Sequence, residues 1–180
     1  MHHIKRIAIL AVMTIMALLA ACAGPVEPST YAKETPNLDL QKYFNGNLTA
    51  WGMFQDRSGK VIKRFTVVMQ CNWTGDTGTL DENFTYADGT RQQRVWTLHK
   101  TAADHYVGTA SDVVGVAIGI SGGNALHWQY VLAVPVDGKV INFDFDDWMV
   151  LIDDHVMINR TVMKKFGFTA GEVTLSFTKP

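Results

Sequence analysis

The chain has 180 residues, with 16 Lys and Arg against 17 Asp and Glu, a formal net charge of −1, and 47% hydrophobic residues. A length of this order holds one ordinary domain, and the absence of any basic excess sets nucleic-acid binding aside. Only two cysteines, Cys22 and Cys71, are present, so a disulfide-rich scaffold is excluded.

Lys5 and Arg6 precede an apolar run, Ile7 to Leu19, that ends in Leu19-Ala20-Ala21-Cys22. A positive start, a short apolar segment and small residues at its end make a secretory signal. The run is too short to cross about 30 Å of hydrocarbon comfortably as a permanent helix. Leu-Ala-Ala-Cys resembles the bacterial lipobox, in which the cysteine thiol takes a diacylglyceryl group and the chain is cut just before it. The expected organisation is a lipoprotein signal peptide over 1–21, a lipidated Cys22 opening a flexible tether over 22–40, and a β-barrel domain over 41–180. Pro25, Pro28 and Pro36, with Ser, Thr and charge between them, give the tether its extended character. Ala23 after the cysteine, where aspartate would mark retention, goes with export to the outer membrane in a two-membrane envelope. The expectation is therefore a monomer anchored by lipid at the periplasmic face of that membrane. With Cys22 acylated, Cys71 has no partner; it continues the alternation of Phe65, Val67 and Met69 and reads as buried and inert.

From Tyr43 the pattern has a period of two. Strands are expected at Asn47–Gln55, Lys60–Trp73, Thr79–Tyr86, Thr90–Lys100, His105–Ala110, Val113–Ile120, Ala125–Val134 and Lys139–Phe145. Turn signals such as Asp56-Arg57-Ser58-Gly59, Ala87-Asp88-Gly89 and Asp137-Gly138 separate them. Trp148–Ile152 and His155–Arg160 read as a further hairpin about Asp153-Asp154, Thr161–Phe166 as a short helical turn, and Glu172–Thr178 as the closing strand. Many short strands without a long amphipathic helix predict an all-β fold, a single antiparallel up-and-down barrel, with that helical turn before the last strand.

Four blocks carry a family resemblance: Ala50-Trp51-Gly52-Met53-Phe54-Gln55-Asp56, Asp146-Asp147-Trp148-Met149, Ile158-Asn159-Arg160 and Gly171-Glu172-Val173-Thr174-Leu175-Ser176-Phe177. They resemble the domain-of-unknown-function 3833 family over nearly the whole stretch from Phe44 to Lys179. The resemblance implies a bacterial envelope lipoprotein with a lipocalin-like barrel, and it brings no reaction and no catalytic residues. True lipocalins carry Gly-x-Trp in their first strand, whereas Gly46 stands well before Trp51, so the lipocalin likeness is one of analogy.

Gly119-Ile120-Ser121-Gly122-Gly123 matches G-x-S-x-G, but a nucleophile elbow needs a helix after the serine, and Leu126, Trp128 and Tyr130 alternate instead. Asp144, Asp146, Asp147, Asp153 and Asp154 lack the glycine and distant glutamate of a calcium loop. The histidines of the domain, His99, His105, His127 and His155, have no ligand spacing. No metal ion and no cofactor are expected. Hairpin register offers a sharper constellation. A three-residue loop at Ala87-Asp88-Gly89 opposes Leu80 to Trp96 and Glu82 to Arg94. An even-numbered loop at Asp153-Asp154 opposes Asp147 to Arg160, on a face shared with Phe143 and Phe145. Asp147, Arg160, Glu82, Arg94, Trp96, Phe143 and Phe145 are thus the candidate ligand-binding residues. Paired carboxylates and guanidinia on apolar faces serve either as structural pairs or as an anchor for a ligand head group. The leading function is a membrane-anchored module that binds a lipid, a fatty acid or another small hydrophobic ligand. A packed structural lipoprotein and a lipid-acting hydrolase working through Ser121 or the interior carboxylates stand as alternatives, the enzyme the weakest of them.

Overall fold

The computed structural model describes residues 24–180, so the apolar run and Cys22 lie outside the described residues. Ten strands follow one another: β1 (Gly46–Asp56), β2 (Val61–Thr74), β3 (Thr77–Tyr86), β4 (Arg91–Lys100), β5 (His105–Thr109), β6 (Val113–Gly122), β7 (Ala125–Val136), β8 (Lys139–Leu151), β9 (Val156–Lys165) and β10 (Phe168–Thr178). Each pairs antiparallel with its chain neighbours, and β1 closes on β10, giving an up-and-down barrel without a free edge. The alternation read from the sequence is the alternation of the pleat. Val67, Met69 and Cys71 on β2 and Leu126 and Trp128 on β7 are buried, while the residues between them face out or lie at intermediate depth.

Two expectations about strand limits are corrected. Lys139–Phe145 and Trp148–Ile152 form one continuous strand, β8. Thr161–Phe166 is no helical turn but the second half of β9 and the start of a hairpin. Phe166 and Gly167 both take positive φ, 52° and 81°, which makes the two-residue turn into β10. Apolar residues on both faces of Thr161-Val162-Met163 conceal the period of two there.

Register overturns the pairing of Asp147 with Arg160. β8 pairs with β9 as Leu151 to Met157, Trp148 to Arg160 and Asp147 to Thr161. The loop between them is odd because Asp153 Oδ1 accepts from the N–H groups of His155 and Val156, and Ile152 N–H bonds Val156 O. A slip of one residue exchanges the faces of a strand. Arg160 therefore points outward and forks onto Glu172 at 2.9 Å.

The stretch expected to be a tether is packed from Pro28 onward. A 3-10 turn over Pro28–Tyr31 lies on the β6–β7 hairpin, so closely that a Cβ on Gly122 or Gly123 would overlap the carbonyl oxygen of Pro28 or Tyr31. Leu38 N–H then bonds Gly123 O at 2.8 Å. The single turn α1 (Leu40–Tyr43), capped by Asp39, drops Leu40, Tyr43 and Phe44 into one end of the barrel among Leu48, Met69 and Met157. Trp73 Nε1 donates to Phe44 O and the Tyr43 hydroxyl to His155 O, which locks the plug to the wall. The buried Leu38 and Leu40 explain the correction: they are apolar residues with a place to bury, and polar spacing alone did not reveal it.

The glycine-rich run is likewise a packing device. A Cβ on Gly119 would overlap the Trp128 ring, and one on Gly108 would lie 2.6 Å from it. The Ser121 hydroxyl donates to Asp104 O at 3.5 Å, on a strand followed by another strand, so no nucleophile elbow is formed. Because alternate hairpins fall at the same end, the barrel has a closed pole, carrying the plug, and an open pole, carrying the β1–β2, β3–β4, β5–β6, β7–β8 and β9–β10 turns. Every strand is paired on both sides and the core is covered from within residues 28–180, so this region is self-contained.

Candidate functional site

A barrel of about eight strands has an interior just wide enough for side chains to fill. Ten strands enclose more. Near the closed pole the extra space is taken up by the plug together with Trp96, Trp128, Tyr106 and Leu126. Above them it is not, and a cavity of about 980 Å³ extends toward the open pole. Its walls are mainly apolar, with Phe54, Phe65, Phe84, Phe143, Phe145 and Val173 among them. Tyr130 stacks on Phe145 at 5.0 Å, and Trp96 meets Tyr130 edge-on at 5.4 Å, so the aromatic wall is tightly ordered.

A polar belt crosses this cup. The β3–β4 register brings Glu82 opposite Arg94, as the sequence indicates, with the carboxylate 3.8 Å from the guanidinium. Arg94 also forks onto Asp112 from the β5–β6 loop, at 2.8 Å from Nη2 and 3.0 Å from Nε. Across the cavity Asp147 is only 4% exposed. Its neighbours are Tyr130, Thr161 and Asn159, and its Oδ1 has no hydrogen-bond partner among the described residues. In this belt three carboxylates share the guanidinium of Arg94.

The electrostatics follow from that count. Burial pushes the Glu82 carboxyl up to about 7; Arg94 pulls the other way and is outweighed, while Asp112 and Asp147 add to the rise. Burial pushes Asp147 up to about 6, against the opposing pull of the neighbouring Thr161, Tyr130 and Asn159. The Tyr130 hydroxyl is raised well above its usual value by burial and by Asp147. The Cys71 thiol, buried below the belt, is pushed up to about 12, again first by burial, which disfavours the thiolate.

Of the candidates named from sequence, Glu82, Arg94, Trp96, Phe143, Phe145 and Asp147 all line this cavity, and Arg160 does not. Asp112, Tyr130, Asn159 and Thr161 were missed. Asn159 and Thr161 follow directly from the one-residue slip of β9. Tyr130 shares the alternation of Leu126 and Trp128 and was readable as an interior residue. Asp112 sits in a loop, where no periodicity marks a side chain that turns inward. His127 lies outside the barrel, stacked on Trp148 at 4.4 Å and bonded to Asp146 at 2.7 Å. Among the described residues no group of three or more His, Cys, Asp and Glu is placed to hold a metal ion.

Against known proteins, the family model described as "Protein of unknown function (DUF3833)" matches residues 16–179. No curated protein matches the chain. Among solved structures, the S-type phycobiliprotein lyase CPES of Guillardia theta superposes with a TM-score of 0.54 at 6% identity, over 86% of this chain and 96% of the lyase. A protein of unknown function from the DUF3598 family of Nostoc punctiforme PCC 73102 gives 0.49 at 11% identity, over 82% of this chain and 51% of its own. A de novo designed fluorescence-activating β-barrel gives 0.41 at 13% identity, over 79% of this chain and 99% of the design.

Proposed function

This chain belongs to the DUF3833 family, and from that premise we propose that it is a lipocalin-like module that holds a lipid or similar small amphipathic ligand in the cell envelope, tethered to the membrane through Cys22. The observation that carries this reading is the cup itself, about 980 Å³ of unfilled space inside a closed barrel. Ligand sites commonly occupy about 300–1,000 Å³, with apolar walls and a few convergent polar groups. The closed hydrogen-bond ladder holds the cavity open, because the barrel cannot narrow without breaking strand pairing. The barrel shared with the phycobiliprotein lyase is a likeness of fold and lends no ligand.

The polar belt selects the ligand's head. A fatty-acid carboxylate would meet Glu82, Asp112 and Asp147 with only Arg94 of the belt to receive it. A hydroxyl or amine instead donates to the unpartnered Asp147 Oδ1 while its apolar body lies along Phe143, Phe145 and Val173. Calorimetric titration with dodecylamine, dodecanol and dodecanoate tests this. The amine and the alcohol are expected to bind, with dodecanoate at least about tenfold weaker, a difference of about 1.4 kcal/mol. The double variant Val134→Trp, Val173→Trp fills the upper cup and is expected to melt close to the wild type yet lose binding. Equal binding by the filled variant, or no uptake of any of the three by the folded wild type, would refute the cup as a ligand site.

A further inference from the structure

The β9–β10 turn has the wrong residue for its backbone. Type I′ turns place both central residues at positive φ and strongly favour Asn-Gly or Asp-Gly there. The neighbouring β7–β8 turn conforms, with Asp137 at 49° and Gly138 at 76°. The β9–β10 turn puts Phe166 at 52° before Gly167, a left-handed conformation disfavoured for a bulky side chain. No burial offsets it. Phe166 is 85% exposed, and its neighbour Phe168 is 79% exposed. Beside the Phe166 ring stands the Lys165 ammonium, 4.7 Å from its centroid.

The surroundings of this turn are apolar and basic together. At the same open pole Val140, Ile62 and Val61 are exposed at the starts of β8 and β2. Lys60, Lys63, Arg64, Lys139, Lys164 and Lys165 stand on the same set of hairpins. Asp56, Asp88 and Asp137 oppose them at the turns, Asp144 stands opposite Lys164, which pairs with Asp146 at 3.5 Å, and Asp112 is engaged with Arg94. The chain as a whole carries a net charge of −1, so the positive balance of this rim is local. The closed pole leans the other way, with Asp39, Asp76, Asp104, Asp153 and Asp154 about its turns against Lys42, Lys100 and Lys179.

We propose that the open rim docks on an anionic lipid bilayer, Phe166 and Phe168 entering the interface while the rim lysines and arginines meet the head groups. Exposed aromatic rings ringed by cations match such a surface in both respects, apolar burial and charge. The inference stands apart from the identity of any ligand in the cup, although a docked rim would place the mouth of the cup against lipid. It also has a directional consequence. The N-terminal segment packs at the closed pole, and the residues from Cys22 to Pro28 span at most about 20 Å, less than the roughly 30 Å length of the strands. A chain anchored at Cys22 therefore cannot stand rim-down on the bilayer that holds the anchor.

The test uses the self-contained domain, residues 24–180, with sedimented vesicles of phosphatidylcholine alone or with phosphatidylglycerol. The wild type is expected to bind the mixed vesicles, weaken as salt rises, and bind neutral vesicles poorly. Phe166→Asn supplies the residue the turn prefers, so it is expected to raise the melting temperature by about 2–4 °C while lowering vesicle affinity about tenfold. Uptake of ligand by the cup is expected to be unchanged in this variant, which keeps the two readings separable. No binding of the wild type to phosphatidylglycerol vesicles, equal binding to neutral vesicles, or undiminished binding by the stabilised Phe166→Asn variant would overturn the proposal.

Discussion

Arg94→Met is expected to destabilise the folded domain by about 3–5 kcal/mol at pH 8. Among the described residues the guanidinium is the cation that faces Glu82, Asp112 and Asp147 inside the barrel, and it contacts the first two directly. Its removal strands carboxylates in a place where an unpaired charge is strongly unfavourable. At about 2–4 °C per kcal/mol for a domain of this size, the melting temperature falls by roughly 6–20 °C. Adding Glu82→Gln and Asp112→Asn to Arg94→Met removes the two carboxylates that contact the guanidinium and is expected to recover much of the loss. The deficit of the single variant should also shrink at pH 5, where the carboxyls take up protons. Chemical denaturation at the two pH values reads both effects; a loss under about 1 kcal/mol at pH 8 would mean that water reaches the belt and screens it.

The second large effect is a fall in stability with rising pH. Glu82 and Asp147 hold their protons more tightly folded than unfolded, with carboxyls at about 7 and about 6 against ordinary values of 4.5 and 3.8. A raised acid contributes stability that is complete below its unfolded value and is lost as pH climbs through its folded one. The folded domain is therefore expected to lose on the order of 3 kcal/mol for each group between about pH 4 and 8. Asp56, Asp88, Asp104 and Asp153, all at surface turns, act with the opposite sign, their carboxyls lowered by local hydrogen bonds, but their contribution disappears only below about pH 4. Glu82→Gln with Asp147→Asn is expected to flatten the slope between pH 4 and 8. A slope unchanged by the double substitution would show that these carboxyls are not its source. An amine-bearing ligand favours the ionised carboxylates, so its affinity is expected to rise over the same window in which the empty domain weakens.

The barrel was legible from the sequence because alternation and turn chemistry are local. Ala87-Asp88-Gly89 states its own loop length, and the pairing of Glu82 with Arg94 follows. Asp153-Asp154 looks equally explicit and misleads, because Asp153 commits its side chain to the N–H groups of His155 and Val156 and makes the loop odd. That single residue of slip decides whether Arg160 or the pair Asn159 and Thr161 faces Asp147. The plug was illegible for another reason. Leu38 and Leu40 stand in a polar, proline-bearing stretch, and only the pole of a ten-stranded barrel that they close gives them somewhere to bury. Neither the size of the cup nor the inward turn of Asp112 leaves a mark on periodicity, since both depend on how strands far apart in sequence close on one another.

If the cup is the seat of function, it is occupied in the cell. Native mass spectrometry of the full protein purified from its own host, compared with the same sample denatured in organic solvent, tests this most directly. The expected native mass exceeds the denatured one by a single lipid-sized molecule, and no such excess is expected in the Val134→Trp, Val173→Trp variant. A native mass equal to the denatured mass, in a protein whose barrel is folded, would contradict a ligand-holding role.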